Sequence, residues 1–390
     1  SKMYLLDSLH RLGINPTNVK AQTKSGEGEE QRLIYPGVII AYKDRIAGVD
    51  LLQGQSAVDG LHSLNNAEAL LEYKLAGAIG KIKRDKVPVV AYLTGNGQPQ
   101  SYEVYDLIEK TIKPNYGFSI LPIDSVPVIP DVFDALLVVK PMTGFSEAQK
   151  LKIDQYIMRG GKVVWAIDRL YASLDSLQRS QSSFVAFEIG LNLDDLLFKY
   201  GVRINPDLVQ DLNCTQIPLA VGSMGNRPQI QLMPWVYFPL LSSPNDNPVS
   251  KNLDYVLSQF PQSIDTVRAE GIDKTILLAS SVNTKISSTP ARVELNSVKS
   301  EEDMKAFTQI AVPVAVLLEG KFNSLFTNRI ASSAKDSLAN LYHSPFRPVA
   351  DSSNKMVVIS DGDLLTNFIS QEKGPLQMGE NPFTHYQYAN

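Results

Sequence analysis

The chain has 390 residues, 44% of them hydrophobic, with a formal net charge of -4 and a pI near 5.7. That length suits two or three domains, or one α/β domain with large insertions, and the apolar share is enough for a full core. The acidic balance argues against a nucleic-acid or anionic-membrane surface, and the single cysteine, Cys214, excludes an intrachain disulfide and a cysteine-based zinc site.

Leu5, Leu6, Leu9 and Leu12 form a short helical stripe, ended by Gly13. A polar, Gly- and Glu-rich stretch at 24–31 reads as a loop. Apolar runs at 38–42 and 46–52 flank Lys43-Asp44 and predict a β-hairpin. Residues 65–84 carry the clearest helical pattern: Ala67, Leu70, Leu71, Leu75, Ala78, Ile79 and Ile82 share one face, and Asn65 with Glu68 makes a capping pair. A strand at 87–93, a tight loop at 94–100 and a helix capped by Ser101 follow, the helix facing inward with Val104, Leu107, Ile108 and Ile112. Residues 118–121 return as a strand, and Pro122, Pro127 and Pro130 keep the next connection extended.

Residues 134–168 organise the rest. Ala135 to Val139 is a short β-branched apolar run, the composition of a strand buried on both faces. Ser146 can cap the following helix, and Glu147 places negative charge in its first turn. Gly160 and Gly161 end that helix, a second buried strand spans 162–167, and Asp168 stands at its carboxyl end. Strand–helix–strand implies parallel strands, and the alternation over 87–168 implies a parallel sheet with helices on both faces.

Beyond Asp168 the signals are weaker. Residues 173–183 are serine-rich. Asn192 is placed to cap a helix using Leu193, Leu196, Leu197 and Tyr200, closed by Gly201. Residues 213–250 are rich in Pro, Asn and Gly around Trp235-Val236-Tyr237-Phe238, which reads as core or as a recognition loop. Asn252 starts a short helix using Leu253, Val256, Leu257 and Phe260. Strands are expected at 275–279, 312–318 and 356–360, a mobile loop at 332–354, and a last helix using Leu364, Leu365, Phe368 and Ile369. The division expected is a small α+β region at 1–60, an α/β core at 61–212, a second α/β region with irregular loops at 213–330, and a loop plus a strand–helix that rejoins the core at 331–390.

Two places could hold a ligand. The strand-to-helix loop 94–100 contains Gly95, Asn96, Gly97 and Gln98, whose backbone N–H groups could hold an anion, although it has neither a dinucleotide spacing nor a Walker lysine. Asp168, Asp361 and Asp363 lie at strand carboxyl ends, where open α/β sheets bind ligands and where carboxylates could take Mg²⁺; aspartates there also cap turns. Cys214 lacks the small-residue elbow of a nucleophile, and His10, His62, His343 and His385 stand in no supportive context. Glu319 and Lys321 could pair or meet a partner. No residue set calls for a cofactor. The chain begins at Ser1 without an initiator methionine and reads as a fragment of a longer protein.

Several segments in order resemble the GldG-type family, the gliding-motility-associated auxiliary or substrate-binding-like subunits of bacterial ABC transporters. They are the strand and loop 88–98, the stretch 145–168 with its Arg-Gly-Gly-Lys turn, residues 193–211, the segment 314–322 around Glu-Gly-Lys-Phe, and 356–363. The resemblance implies a Rossmann-like core of the class I glutamine amidotransferase type that has lost catalysis, similar to a domain of an intraflagellar transport subunit. It also implies flanking membrane helices outside this fragment, a periplasmic location at the inner membrane, and permease and ATPase subunits as partners, with a homo-oligomer left open. The family loop is Gly-His-Gly-Glu-like, whereas here Asn96 and Gln98 carry amides. The reading is a non-catalytic module acting through protein contacts; the alternatives are a solute-binding subunit, perhaps for a glycan, and a remnant metal-dependent hydrolase.

Overall fold

The computed structural model describes residues 2–22, 29–52, 71–174, 176–177, 183–224, 227–251, 253–295, 298, 300–370 and 374–390. The capping pair Asn65 and Glu68, the helical positions Ala67 and Leu70, and Asn252 lie outside the described residues. The chain divides into two compact units, Ser1–Val87 and Pro88–Asn390.

The first unit holds Lys2–Arg11 (α1), Thr17–Gln22 (β1), Glu29–Ile34 (β2), Gly37–Tyr42 (β3), Arg45–Asp50 (β4) and Leu71–Lys83 (α2). β3 and β4 form the expected hairpin, with Tyr42 opposite Arg45 and Lys43 in the left-handed conformation at the turn. Asp50 accepts the Asn15 and Leu52 N–H groups, each at 3.0 Å, and Lys74 of α2 donates to the Asp50 and Leu51 carbonyls.

The second unit is built on Val89–Thr94 (β5), Gly117–Pro122 (β6), Ala135–Val139 (β7), Glu147–Met158 (α3), Lys162–Ala166 (β8), Asp194–Tyr200 (α4), Asp207–Asp211 (β9), Cys214–Met224 (β10), Arg227–Leu241 (β11), Ile272–Ala279 (β12), Thr284–Ser288 (β13), Pro313–Gly320 (β14) and Asn354–Ile359 (β15). A seven-stranded mixed sheet runs β12-β14-β15-β8-β7-β5-β6. From β15 to β6 all neighbours are parallel, whereas β14 and β12 are added antiparallel. Counted in chain order, the parallel strands lie 2-1-3-4-5, so the strand order reverses between β5 and β7.

Successive residues of β5 serve opposite faces, as strand geometry requires. Ala91 and Leu93 join one core with Ile153, Tyr156 and Ile157 of α3 and Leu196, Leu197 and Tyr200 of α4. Val90 and Tyr92 join another with Val104, Leu107 and Ile112. That second cover is a 3-10 turn, Ser101–Val104, followed by a π-helical turn, Asp106–Ile112. Gln100 rather than Ser101 caps it, and Ser101 has φ +56°.

Residues 134–168 form the expected strand–helix–strand. The Ser146 hydroxyl accepts the Gln149 N–H at 3.2 Å while Gln149 Oε1 accepts the Ser146 N–H at 2.9 Å, a reciprocal capping box. Gly160 takes φ +96° just past the helix end.

Residues 213–250 contain a long hairpin of β10 and β11, and Trp235 to Phe238 are core, the first of the two readings of that stretch. Three expectations need correction. The spacing of Leu253, Val256 and Leu257 imitates a helix, but Val256–Leu257 pairs as a short strand with Leu241 and Leu240. The segment 332–354 carries helical turns Ser332–Asp336 and Ser337–Leu341. After β15 there is a single 3-10 turn, Asp363–Leu365, then the short strand Ile369–Ser370. Asn367 explains why no helix continues there. Its N–H donates to the Glu103 carbonyl at 2.7 Å and its side chain bridges Asp106 N and Leu376 O, which commits the backbone to tertiary partners.

Candidate functional site

The carboxyl edge of the parallel strands gathers the predicted positions into two neighbouring groups. The first is the loop after β5, at the point where strand order reverses and where open α/β sheets commonly bind ligands. Here the Asn96 carbonyl accepts the Met142 N–H at 2.8 Å and the Thr143 N–H at 3.1 Å, tying the loop after β5 to the loop after β7. Gly97 has φ +75°, and a Cβ on it would lie 3.1 Å from the Met142 Cβ. Gly95 has φ +124° and faces Ile123.

Both amide side chains of this loop are buried, Asn96 at 2% and Gln98 at 5% exposure. Asn96 Nδ2 donates to the Gly144 carbonyl and to Gln149 Oε1, each at 3.1 Å. Gln149 Nε2 in turn donates to both Asp124 carboxylate oxygens at 3.0 Å. Gln98 Oε1 accepts the Asn96 N–H at 2.8 Å. These bonds orient both amides, leaving Asn96 Oδ1 and Gln98 Nε2 as buried atoms with no hydrogen-bond partner among the described residues. One of the loop's N–H groups, that of Asn96, is thus spent on Gln98.

The second group is Asp168, Asp361 and Asp363, with one ligand atom from each lying within 4.8 Å of the others. Lys140, which follows β7 and has φ +45°, reaches among them. Its Nζ pairs with Asp363 Oδ1 and lies 3.6 Å from Asp168 Oδ2. Asp168 Oδ1 accepts the Gly362 N–H at 2.6 Å. Asp361 is wholly buried and accepts from four donors: Ser258 Oγ at 2.5 Å, Gln259 N at 2.8 Å, Asp363 N at 2.8 Å and Leu364 N at 3.2 Å. It thus caps the turn after β15 and pins the segment 258–259 to it.

Burial, with the charges of Asp168 and Asp363 beside it, pushes the Asp361 carboxyl up to about 8. Burial also raises Asp168, to about 6, against the pull of Lys140. Burial alone would lower the Lys140 ammonium, but Asp363 and Asp168 outweigh it and hold the group well above its ordinary value. The cluster is a buried ion-pair network whose oxygens are largely occupied by the protein's own donors.

The other candidates do not converge here. Cys214 Sγ lies 3.6 Å from the Leu212 carbonyl, and burial, with Asp211 next, pushes the thiol up to about 12, far from a reactive thiolate. His385 pairs with Glu380 at 2.8 Å. Glu319 pairs with Lys355 at 2.6 Å rather than with Lys321. Asn192 does not cap α4; its Nδ2 donates to the Phe145 carbonyl at 2.8 Å. Sequence reasoning passed over Lys140, Gln149 and Ser258. Lys140 was within reach of it, since a lysine directly after a buried strand faces the same edge as Asp168.

No helix among the described residues is long and apolar enough to cross a membrane. No curated protein matches the chain. A solved structure, the mmIFT52 N-terminal domain, is similar at 11% identity, covering 73% of this chain and 91% of that one, with a TM-score of 0.38. At that distance it carries no argument about function. A family model described as an ABC-type uncharacterized transport system, the ABC transporter auxiliary family, matches residues 87–390, and the chain belongs to that family.

Proposed function

We propose that this chain is a non-catalytic, extracytoplasmic auxiliary subunit of an ABC-type transport complex, acting through contacts with protein subunits. The observation that supports the reading is the bridging of the switch point. Main-chain bonds from Met142 and Thr143 to the Asn96 carbonyl join the two loops at the place where a doubly wound sheet would hold a ligand. The side chains there are amides, which exchange no protons near neutral pH, and the adjacent carboxylates are engaged by Lys140 and by backbone donors. The strand order 2-1-3-4-5 supports a Rossmann-like core of the amidotransferase-related kind. Permease and ATPase subunits are the partners in this reading, and both the membrane anchoring and the link to gliding motility rest on the resemblance described above.

The test is purification of the complex from native membranes through a tag on the full-length protein, with mass spectrometry of proteins and small molecules. Permease and ATPase at fixed stoichiometry, without a bound solute, are the expected result. A stoichiometric solute lost on changing Asn96 or Gln98 would replace the reading with solute binding. Turnover of a substrate abolished by Asp168→Asn would replace it with catalysis.

A further inference from the structure

A cleft of about 250 Å³ is lined in part by α3. Pro127 and Val128, Ala148 and Leu151 of α3, and Leu338 with Tyr342 supply its apolar lining. Its polar lining groups are largely engaged. Gln155 Oε1 accepts the Arg347 N–H at 2.7 Å, and its Nε2 donates to Asp154 and to the Arg347 carbonyl, each at 3.0 Å. Ser337 Oγ donates to the Ser333 carbonyl at 2.9 Å. An occupant would therefore meet mainly carbon.

Lys152 is the exception. It lines the cleft, its Nζ donates to the Ile123 carbonyl at 2.9 Å, and among the described residues no carboxylate lies within ion-pair distance of it. One ammonium without a counter-anion, set in an apolar cleft, selects a molecule with both features. We infer that the cleft binds an anionic amphiphile, its apolar body between Leu151 and Leu338 and its carboxylate or phosphate head on Lys152. An apolar cavity of ~150 Å³ takes up benzene, so this one suits a body of roughly eight to ten carbons. The inference stands independently of the non-catalytic reading, because the cleft shares no residue with the sheet edge.

The test titrates decanoate, decanol and decyltrimethylammonium, each below its micellar concentration, into the full chain by calorimetry. Decanoate should bind saturably at one site, about tenfold more tightly than the cationic probe. Lys152→Met, which keeps the apolar stem, should weaken decanoate about tenfold and leave decanol unchanged. Ala148→Phe should fill the cleft and abolish both; Ala334→Phe, at another lining position, provides a second filling variant, and circular dichroism establishes that each is folded. Sedimentation with phosphatidylglycerol vesicles separates the sources. Vesicle binding lost in Ala148→Phe assigns a membrane lipid, and decanoate binding without vesicle binding assigns a free amphiphile. Unsaturable decanoate binding, or affinity indifferent to both Lys152→Met and the filled cleft, would overturn the inference.

Discussion

The Asn96 carbonyl accepts the Met142 N–H at 2.8 Å, joining the loops after two neighbouring strands at the place where the order of the parallel sheet reverses. The bond needs a loop that turns tightly enough to lie against Met142, and Gly97 supplies it. Its φ of +75° disfavours any side chain, and a Cβ would stand 3.1 Å from the Met142 Cβ. Gly97→Ala should therefore cost about 1–2 kcal/mol, the penalty of a left-handed non-glycine residue, with a further contribution if Met142 cannot give way. Urea unfolding of the two proteins measures it. A neutral or stabilising outcome would mean that the loop is not held against Met142 in solution.

Lys140 is the counter-charge for Asp168 and Asp363, and both its ion pairs are substantially shielded from water. Lys140→Met keeps much of the stem volume and leaves the carboxylates without their cation. Removing one partner of a buried pair typically costs about 3–5 kcal/mol. The same change in an Asp168→Asn background should cost less, because one uncompensated charge is gone. Chemical denaturation of the four proteins in this double-mutant cycle gives the coupling directly, and additive effects would deny the interaction.

The raised carboxyls give stability a definite pH slope. Asp361 stands at about 8 and Asp168 at about 6 in the folded chain, against an ordinary 3.8. Between the ordinary and folded values the native state binds more protons than the unfolded state, so stability falls as pH rises. These carboxyls exert no penalty below about pH 3.8, and the Asp361 penalty is fully present above about pH 8. Asp361→Asn should flatten that slope whatever it does to absolute stability. Melting temperatures of both proteins from pH 4.5 to 8.5 test this, and parallel curves would place the titration elsewhere.

Burial pushes the Cys214 thiol up to about 12, which leaves very little thiolate at neutral pH. Iodoacetamide should modify native Cys214 at least about a hundredfold more slowly than the urea-unfolded chain. Equal rates would expose the thiol and reopen the question of its reactivity.

The central α/β unit was legible because its signals are local. Ser146 at the cap, Gly160 past the end and the β-branched run before them each act within a few residues. The hairpin of β10 and β11 was obscured by its prolines. Pro218, Pro228, Pro234 and Pro239 lie within its strands, opposite Leu232, Ser223, Gln216 and Cys214, although proline cannot donate to the ladder. Irregularities between Cys214 and Gln216 and between Ala220 and Gly222 accompany this pairing. At the sheet edge the aspartates could be placed from sequence, because strand ends are local. Lys140 could be placed at the same edge on the same ground, but its pairing with Asp363 could not, because the two are 223 residues apart and meet only through the sheet.

Asp154 shows how far the fold depends on a single buried polar group. It is fully buried on α3 and accepts from Tyr200 Oη at 2.9 Å, Leu325 N at 2.9 Å, Ser324 Oγ at 2.6 Å and Gln155 Nε2 at 3.0 Å. One carboxyl thereby joins α3, α4 and the turn after β14. Burial raises its pKa while these donors oppose the rise. Asp154→Asn preserves shape but places a donor where an acceptor is required. The Ser324 hydroxyl can rotate to accept, whereas the Leu325 and Gln155 N–H groups cannot. The expected loss is about 1–3 kcal/mol. Tyr200→Phe removes one donor and should cost about 1–2 kcal/mol, with the two changes less than additive when combined. Equilibrium unfolding of the single and double variants decides it; full additivity would show that Tyr200 and Asp154 stabilise the chain independently.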